Sequence, residues 1–129
     1  MQMDNISNMM VSIKNAEAIR KREVIVWPAS KLAGEVLRIL QREGYVGEIE
    51  LIDDGRGGKF RVQLLGRIND CGAIKPRYPV KKDEILDYAR RYLPSRELGI
   101  LIISTNKGLK THMECLDEGI GGVLIAYVY

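Results

Sequence analysis

The chain ends in an unbroken apolar run, Val123-Leu124-Ile125-Ala126-Tyr127-Val128-Tyr129. Its β-branched and aromatic residues favour extended structure. A chain end this apolar is an aggregation hazard unless it is paired on a sheet. The run is therefore expected as a strand inserted in a sheet. A second run, Gly99-Ile100-Leu101-Ile102-Ile103, has the make-up of another buried strand. Between the two lie three short signals. Ser104-Thr105-Asn106-Lys107-Gly108 sits where the first strand would emerge at the surface. Thr111-His112-Met113-Glu114 fits a capping box, so a short helix is expected to about Glu118. Gly119-Ile120-Gly121-Gly122 makes a tight return into the last strand.

The rest of the chain has room for one domain, or for two very small ones, in 129 residues. With 46% hydrophobic and 29% charged residues it is not a disordered sequence. The net charge of +3, from 20 Lys and Arg against 17 Asp and Glu, is a mild bias. A nucleic-acid partner would need those positive groups concentrated on one face. Two cysteines and one histidine cannot fill a four-ligand zinc site of cysteine and histidine alone, and no metal or cofactor is expected. Met1-Gln2-Met3-Asp4 lacks the basic-then-apolar order of a signal peptide. No apolar run approaches the roughly 18 residues that suggest a membrane span. A cytoplasmic protein with reduced thiols is expected.

Asp4 can cap a first helix running to about Lys21, with Ile6, Met9, Met10, Ile13 and Ala16 turned inward at helical spacing. Asn5, Asn8, Ser12 and Asn15 form a second stripe that is polar but uncharged, with Lys14 beside Asn15. That stripe is either a solvated face or a docking surface for a polar partner such as an RNA backbone. Glu23 to Trp27 reads as a strand. Ser30 is a good N-cap for a second helix with Leu32, Ala33, Val36, Leu37 and Leu40 inward, and Gly44 is placed to end it. Lys31 lies in the first turn, where an anion can also use free amides. Tyr45 to Asp53 and Lys59 to Leu65 form a hairpin around Asp54-Gly55-Arg56-Gly57-Gly58. That loop opens no helix and lacks the Gly-Lys-Ser/Thr ending of a phosphate loop, so a nucleotide reading fails and Arg56 remains as a phosphate contact.

From Gly66 to Lys82 the pattern weakens around Pro76 and Pro79, and Lys75, Arg77, Lys81 and Lys82 make this the most basic connector. Asp83 is expected to cap a third helix to about Leu93, which Pro94 stops. The fold class is α+β with two compact halves. The segment from Gly66 to Lys82 reads as the junction between an N-terminal half, residues 1–66 of order α-β-α-β-β, and a C-terminal half, residues 67–129 with short helices.

Catalysis needs a nucleophile with a base, an acid–base pair or a cofactor site. His112 sits in a capping box, Asp53-Asp54 looks like turn chemistry and Asp83-Glu84 like a helix cap. An enzyme using His112 and a protein-interaction module are the alternatives to RNA binding. The Ser104–Gly108 loop, the small polar stripe, the Arg56 loop and the basic connector suit an irregular RNA surface. Hydroxyls and amides read the 2′-OH and the shape of the shallow minor groove. Aromatic stacking platforms are scarce, which favours structured RNA over single strands. Neither helix-turn-helix organisation nor zinc-finger spacing is present to suggest DNA.

Asp4, Ile6 and Met9, then Ile13-Lys14-Asn15-Ala16, Ser30-Lys31-Leu32, Glu43-Gly44-Tyr45, Ile103-Ser104-Thr105-Asn106-Lys107-Gly108, Gly119-Ile120-Gly121-Gly122 and Tyr127-Val128-Tyr129 follow one another along nearly the whole chain. In these residues the sequence resembles the small-ribosomal-subunit protein eight family. Its Ser-Thr-x-Lys/Arg-Gly loop followed by Gly-x-Gly-Gly is specific to that family. The resemblance implies a primary binder of the central domain of small-subunit ribosomal RNA, acting in subunit assembly among neighbouring small-subunit proteins. It also implies two compact α/β parts, the C-terminal one more β-rich and RNA-binding. It implies RNA contacts at Ser104 to Gly108 with the nearby Gly121 and Gly122, at Asp4, at Lys14 and Asn15, and at Lys31. Val123 stands where bacterial relatives usually carry Glu, and Tyr129 where they commonly end in Trp. The segment Gly66 to Lys82 and the longer helix after Asp83 look like the archaeal and eukaryotic branch.

Overall fold

The computed structural model describes residues 5–27, 29–53, 55, 57–95 and 98–129. The chain divides into two units, residues 1–69 and 70–129. In the first, α1 (Asn5–Ala18) is followed by β1 (Glu23–Val26), α2 (Lys31–Arg42), β2 (Val46–Ile52) and β3 (Lys59–Leu64). The strands form an antiparallel sheet of order β1-β3-β2. Ile6, Met9, Met10, Ile13 and Ala16 of α1 are buried, as are Ala33, Val36, Leu37 and Leu40 of α2. Leu32, expected inward, is only half-buried. Ile39, not expected in the core, is buried. On β3, buried Val62 and Leu64 alternate with exposed Arg61 and Gln63. Arg61 lies on the outer face between Glu23 at 4.0 Å and Glu50 at 3.6 Å.

Both helices of this unit stop where their backbone turns left-handed. Gly44 (φ 83°) does so after α2, with Tyr45 N–H donating to the Leu40 carbonyl at 2.8 Å and Gly44 N–H to the Gln41 carbonyl at 3.1 Å. The same pair of bonds closes α1 three residues earlier than the sequence suggests. There the left-handed residue is Arg20 (φ 58°), with Lys21 N–H on Ala16 and Arg20 N–H on Glu17. A non-glycine residue rarely takes this role, so nothing in the sequence marks the stop. Asp4, expected as the cap of α1, lies outside the described residues. Arg67 and Ile68, which the sequence reading places in the second half, bond back to the first unit. Arg67 donates to the Gly44 carbonyl at 3.3 Å, and Ile68 N–H to the Glu17 carboxylate at 3.3 Å.

The second unit contains β4 (Cys71–Ala73), β5 (Pro79–Val80), α3 (Ile85–Tyr92), β6 (Ile100–Thr105), β7 (Gly108–Thr111), α4 (His112–Glu118) and β8 (Gly122–Val128). The terminal strand β8 is inserted in the sheet, as its apolar sequence requires. One edge pairs with β6, and the other with β4 and β5, all antiparallel. The two strands β4 and β5 lie in the segment from Gly66 to Lys82, where the sequence pattern weakens and prolines interrupt any long strand. They are too short to show alternation, and it is pairing with β8 that orders them. Asp70 fastens this edge further by accepting from the hydroxyls of Tyr129 at 3.3 Å and Tyr127 at 3.5 Å. Before α3, a 3₁₀ turn spans Lys82–Glu84, and the Glu84 carboxylate accepts from Lys81 N–H at 2.9 Å. Glu84, not Asp83, therefore closes the start of this helical segment. Ile74, Val80, Ile85, Leu101, Ile103 and Leu124 are core residues of the unit.

Candidate nucleic-acid interface

Ser104 and Thr105 belong to β6, and the residues expected to form a loop into a helix instead form a hairpin. Ser104 pairs with Leu109 and Thr105 with Gly108, leaving only Asn106 and Lys107 in the turn. The chain then runs back as β7 before α4 begins. Two-residue turns of the commonest hairpin type need positive φ at both central residues. Here the left-handed conformation falls on Gly108 (φ 100°), while Asn106 and Lys107 keep negative φ. Only a residue without a Cβ takes that φ without strain.

The turn is held by one side chain. Thr105 Oγ1 accepts from Lys107 N–H at 3.0 Å and donates to the Gly108 carbonyl at 2.7 Å. The Thr105 proton is thus spent inside the hairpin, so this residue shapes the tip and offers no donor to a partner. Ser104 Oγ and the Asn106 amide have no hydrogen-bond partner among the described residues, and Asn106 is exposed. At the other end of β7, Thr111 Oγ1 accepts from Glu114 N–H at 3.2 Å, and the Glu114 carboxylate accepts from Thr111 N–H at 3.1 Å. The capping box expected from the sequence is present and fixes the hairpin to α4.

Gly122 sits against the same hairpin, and Gly121 against the end of β5. In the β6–β8 pairing Ser104 lies opposite Val123. A Cβ on Gly122 would collide with the Ser104 carbonyl oxygen and lie 2.8 Å from Ile103 Cγ2. One on Gly121 would collide with the Val80 carbonyl oxygen and lie 3.1 Å from Lys81 Cα. The glycines let β8 pass between the ends of β5 and β6, which sets where the hairpin stands.

Two residues that sequence reasoning did not single out complete the tip. Glu118, the last residue of α4, reaches Lys107 Nζ at 3.7 Å and Lys110 Nζ at 2.9 Å. The hydrogen bond to Glu118 is the largest cause that raises the pKa of Lys110. The side chain of Lys110 is 19% exposed and that of Lys107 67%, so Lys107 is the cation presented outward. The only sequence signal for Lys110 was its spacing from Lys107, which has meaning only once the hairpin pairing is known.

In the first unit, Lys14 and Asn15 are adjacent and exposed on α1. The stripe beside them is less uniform than its sequence suggests. Asn8 and Asn15 are exposed and Ser12 is half-buried, but Val11 stands among them at 51% exposure. Lys31 is exposed as the first residue of α2, and the Ser30 hydroxyl caps it by accepting from Ala33 N–H at 3.1 Å. Arg56, like Asp4, lies outside the described residues.

His112 is buried at 2% exposure, and its Nδ1 accepts from Leu101 N–H at 3.1 Å. It ties α4 to β6. The cavity of about 820 Å³ beside it is lined mainly by Leu86, Ala89, Leu93, Pro94, Met113 and Leu116, and no carboxylate lines it among the described residues. Cys71 and Cys115 are both buried and unpaired with each other, and burial pushes the Cys115 thiol up, away from the reactive thiolate.

The sequence matches the family Ribosomal protein S8 over residues 4–129. The chain belongs to this family. Proteins named small ribosomal subunit protein uS8 are similar to it along their length. That of Pyrobaculum neutrophilum is 60% identical, with 98% of each chain covered. Those of Pyrobaculum islandicum and Caldivirga maquilingensis are each 58% identical with the same coverage. These relatives are archaeal, in keeping with the branch suggested by Gly66 to Lys82. Membership makes the chain a structural, non-enzymatic constituent of the small subunit of the cytoplasmic ribosome. Its partners are small-subunit ribosomal RNA and neighbouring ribosomal proteins. No helix among the described residues is long and apolar enough to cross a membrane.

Proposed function

We propose that the β6–β7 hairpin is the part of this ribosomal protein that recognises RNA, as a primary contact to the central domain during subunit assembly. One observation carries the reading: a turn held from within exposes an amide and an ammonium at its tip, with the unpartnered Ser104 hydroxyl at its base. Thr105 holds the turn from within, Gly122 sets its position against β8, Asn106 and Lys107 are exposed, and Ser104 is half-buried at the base of the hairpin. Ser104 and Asn106 each combine donor and acceptor capacity, which suits 2′-hydroxyls and base edges of a shallow minor groove. Lys107 suits a phosphate, a contact that positions without reading sequence. Lys14, Asn15 and Lys31 are the contacts of the first unit in this reading. Asp4 and Arg56 are assigned to it by resemblance and by loop composition respectively. Gly121 and Gly122 act through packing.

Lys107→Ala tests the electrostatic part. Binding to a central-domain RNA fragment should weaken, and the slope of log K against log salt should flatten by roughly one counterion. An unchanged slope would remove Lys107 from the phosphate contact.

A further inference from the structure

We propose that Glu118 is a specificity-determining residue of the hairpin, a built-in carboxylate that discounts phosphate contacts made without the correct RNA shape. This rests on the hairpin being the RNA-binding element.

Glu118 bridges both lysines of the tip, at 3.7 Å from Lys107 and 2.9 Å from Lys110. It does so from a position that does nothing for its own helix. An acid at a helix C-terminus opposes the helix dipole, and α4 has no basic residue in its last turn. Gly119 (φ 66°) fixes the end of α4, with Gly119 N–H on the Leu116 carbonyl at 3.3 Å and Ile120 N–H on that of Cys115 at 3.0 Å. The carboxylate is thus held where an anion bridging two lysines would sit. Glu114 also acts on Lys110, but its carboxylate is committed to Thr111 N–H.

The two pairs are unequal in a useful way. Lys110 is largely covered and holds Glu118 at hydrogen-bond distance. Lys107 is exposed at the longer distance, a pair of the kind that costs little to open. A phosphate therefore takes Lys107 while Glu118 stays on Lys110. The retained carboxylate then repels any phosphate that drifts toward it. RNA held in register by Ser104 and Asn106 keeps its phosphate on the outward side of Lys107 and feels little of this. An unrelated duplex samples many registers, and its affinity comes almost wholly from phosphate contacts.

Binding of Glu118→Gln to a central-domain RNA fragment and to an unrelated RNA duplex of equal length, across a salt series, tests the assignment. Affinity for the unrelated duplex should rise, by up to about fivefold at low salt, the scale of one exposed charge pair. Its salt slope should steepen by roughly one counterion, and affinity for the central-domain RNA should change less than twofold. Glu118→Asp keeps the charge and should keep the wild-type discrimination. Weaker binding to both RNAs, or an equal change in both, overturns the assignment, as does discrimination lost in Glu118→Asp. Lys107→Ala measured alongside separates the two levels. If it alters neither affinity nor salt slope, the hairpin is not the RNA-binding element. If it weakens binding while Glu118→Gln leaves discrimination intact, only the role of Glu118 falls.

Discussion

Gly122→Ala should destabilise the protein by about 1–3 kcal/mol, the usual cost of overfilling a packed site, and should take RNA binding with it. The added methyl meets the backbone of β6. It would lie 2.9 Å from the Ser104 carbonyl carbon, closer still to its oxygen, and 2.8 Å from Ile103 Cγ2. Backbone in a central strand cannot swing aside as a flexible side chain can. β6 and β8 must part at the Ser104–Val123 pair, and that displacement carries the whole hairpin. A lower urea midpoint with an unchanged m-value would report the loss of stability. Binding should be lost even under conditions where the variant is fully folded. Gly108→Ala is the useful contrast. No atom lies within 4 Å of a Cβ there, so its cost comes from φ 100° alone. Equal stability of Gly122→Ala and wild type would mean that β8 does not pass Ser104 as closely as described.

Thr105→Val has the next largest expected effect, and it falls on recognition more than on stability. Valine matches threonine in shape but lacks the hydroxyl, so both bonds inside the turn disappear. Hydrogen bonds of this type contribute about 0.5–1.5 kcal/mol each, and less where water replaces them at an exposed tip. The midpoint of unfolding should therefore move only modestly. Asn106 and Lys107, however, are no longer held in one arrangement, and ordering them on binding costs about 0.5–1.5 kcal/mol per side chain. Affinity for the central-domain RNA should fall about tenfold, which corresponds to 1.4 kcal/mol. The salt slope should stay as in the wild type, since no charge is removed. Thr105→Ser keeps the hydroxyl and should bind almost normally. Should Thr105→Val instead flatten the salt slope as Lys107→Ala does, the threonine would be holding a phosphate contact and not the turn.

The parts of this structure legible in the sequence are those set by local chemistry. The inward face of α1, most of that of α2, the Ser30 cap, the Gly44 stop and the Thr111–Glu114 box all follow from spacing or from a single residue's preference. So does the insertion of β8, whose composition admits no other place. What escaped depends on partners distant in sequence. Cys71–Ala73 and Pro79–Val80 are ordered by β8, which lies some 40 to 60 positions downstream. Arg20 takes a left-handed conformation that its residue type does not announce. At the site the residue types were legible, but their division of labour was not. Thr105 and Ser104 look alike in sequence, yet one hydroxyl is spent on the turn and the other has no hydrogen-bond partner among the described residues. Lys110 and Glu118 needed the hairpin and α4 in place before their pairing had any meaning.

The most direct test of hairpin recognition is hydroxyl-radical footprinting of the protein on whole small-subunit ribosomal RNA. Wild-type protein should protect a compact patch within the central domain. A folded variant carrying Ser104→Ala, Asn106→Ala and Lys107→Ala should lose that patch while retaining weak, scattered protection. A patch that persists in the variant, or wild-type protection outside the central domain, would contradict recognition by the β6–β7 hairpin.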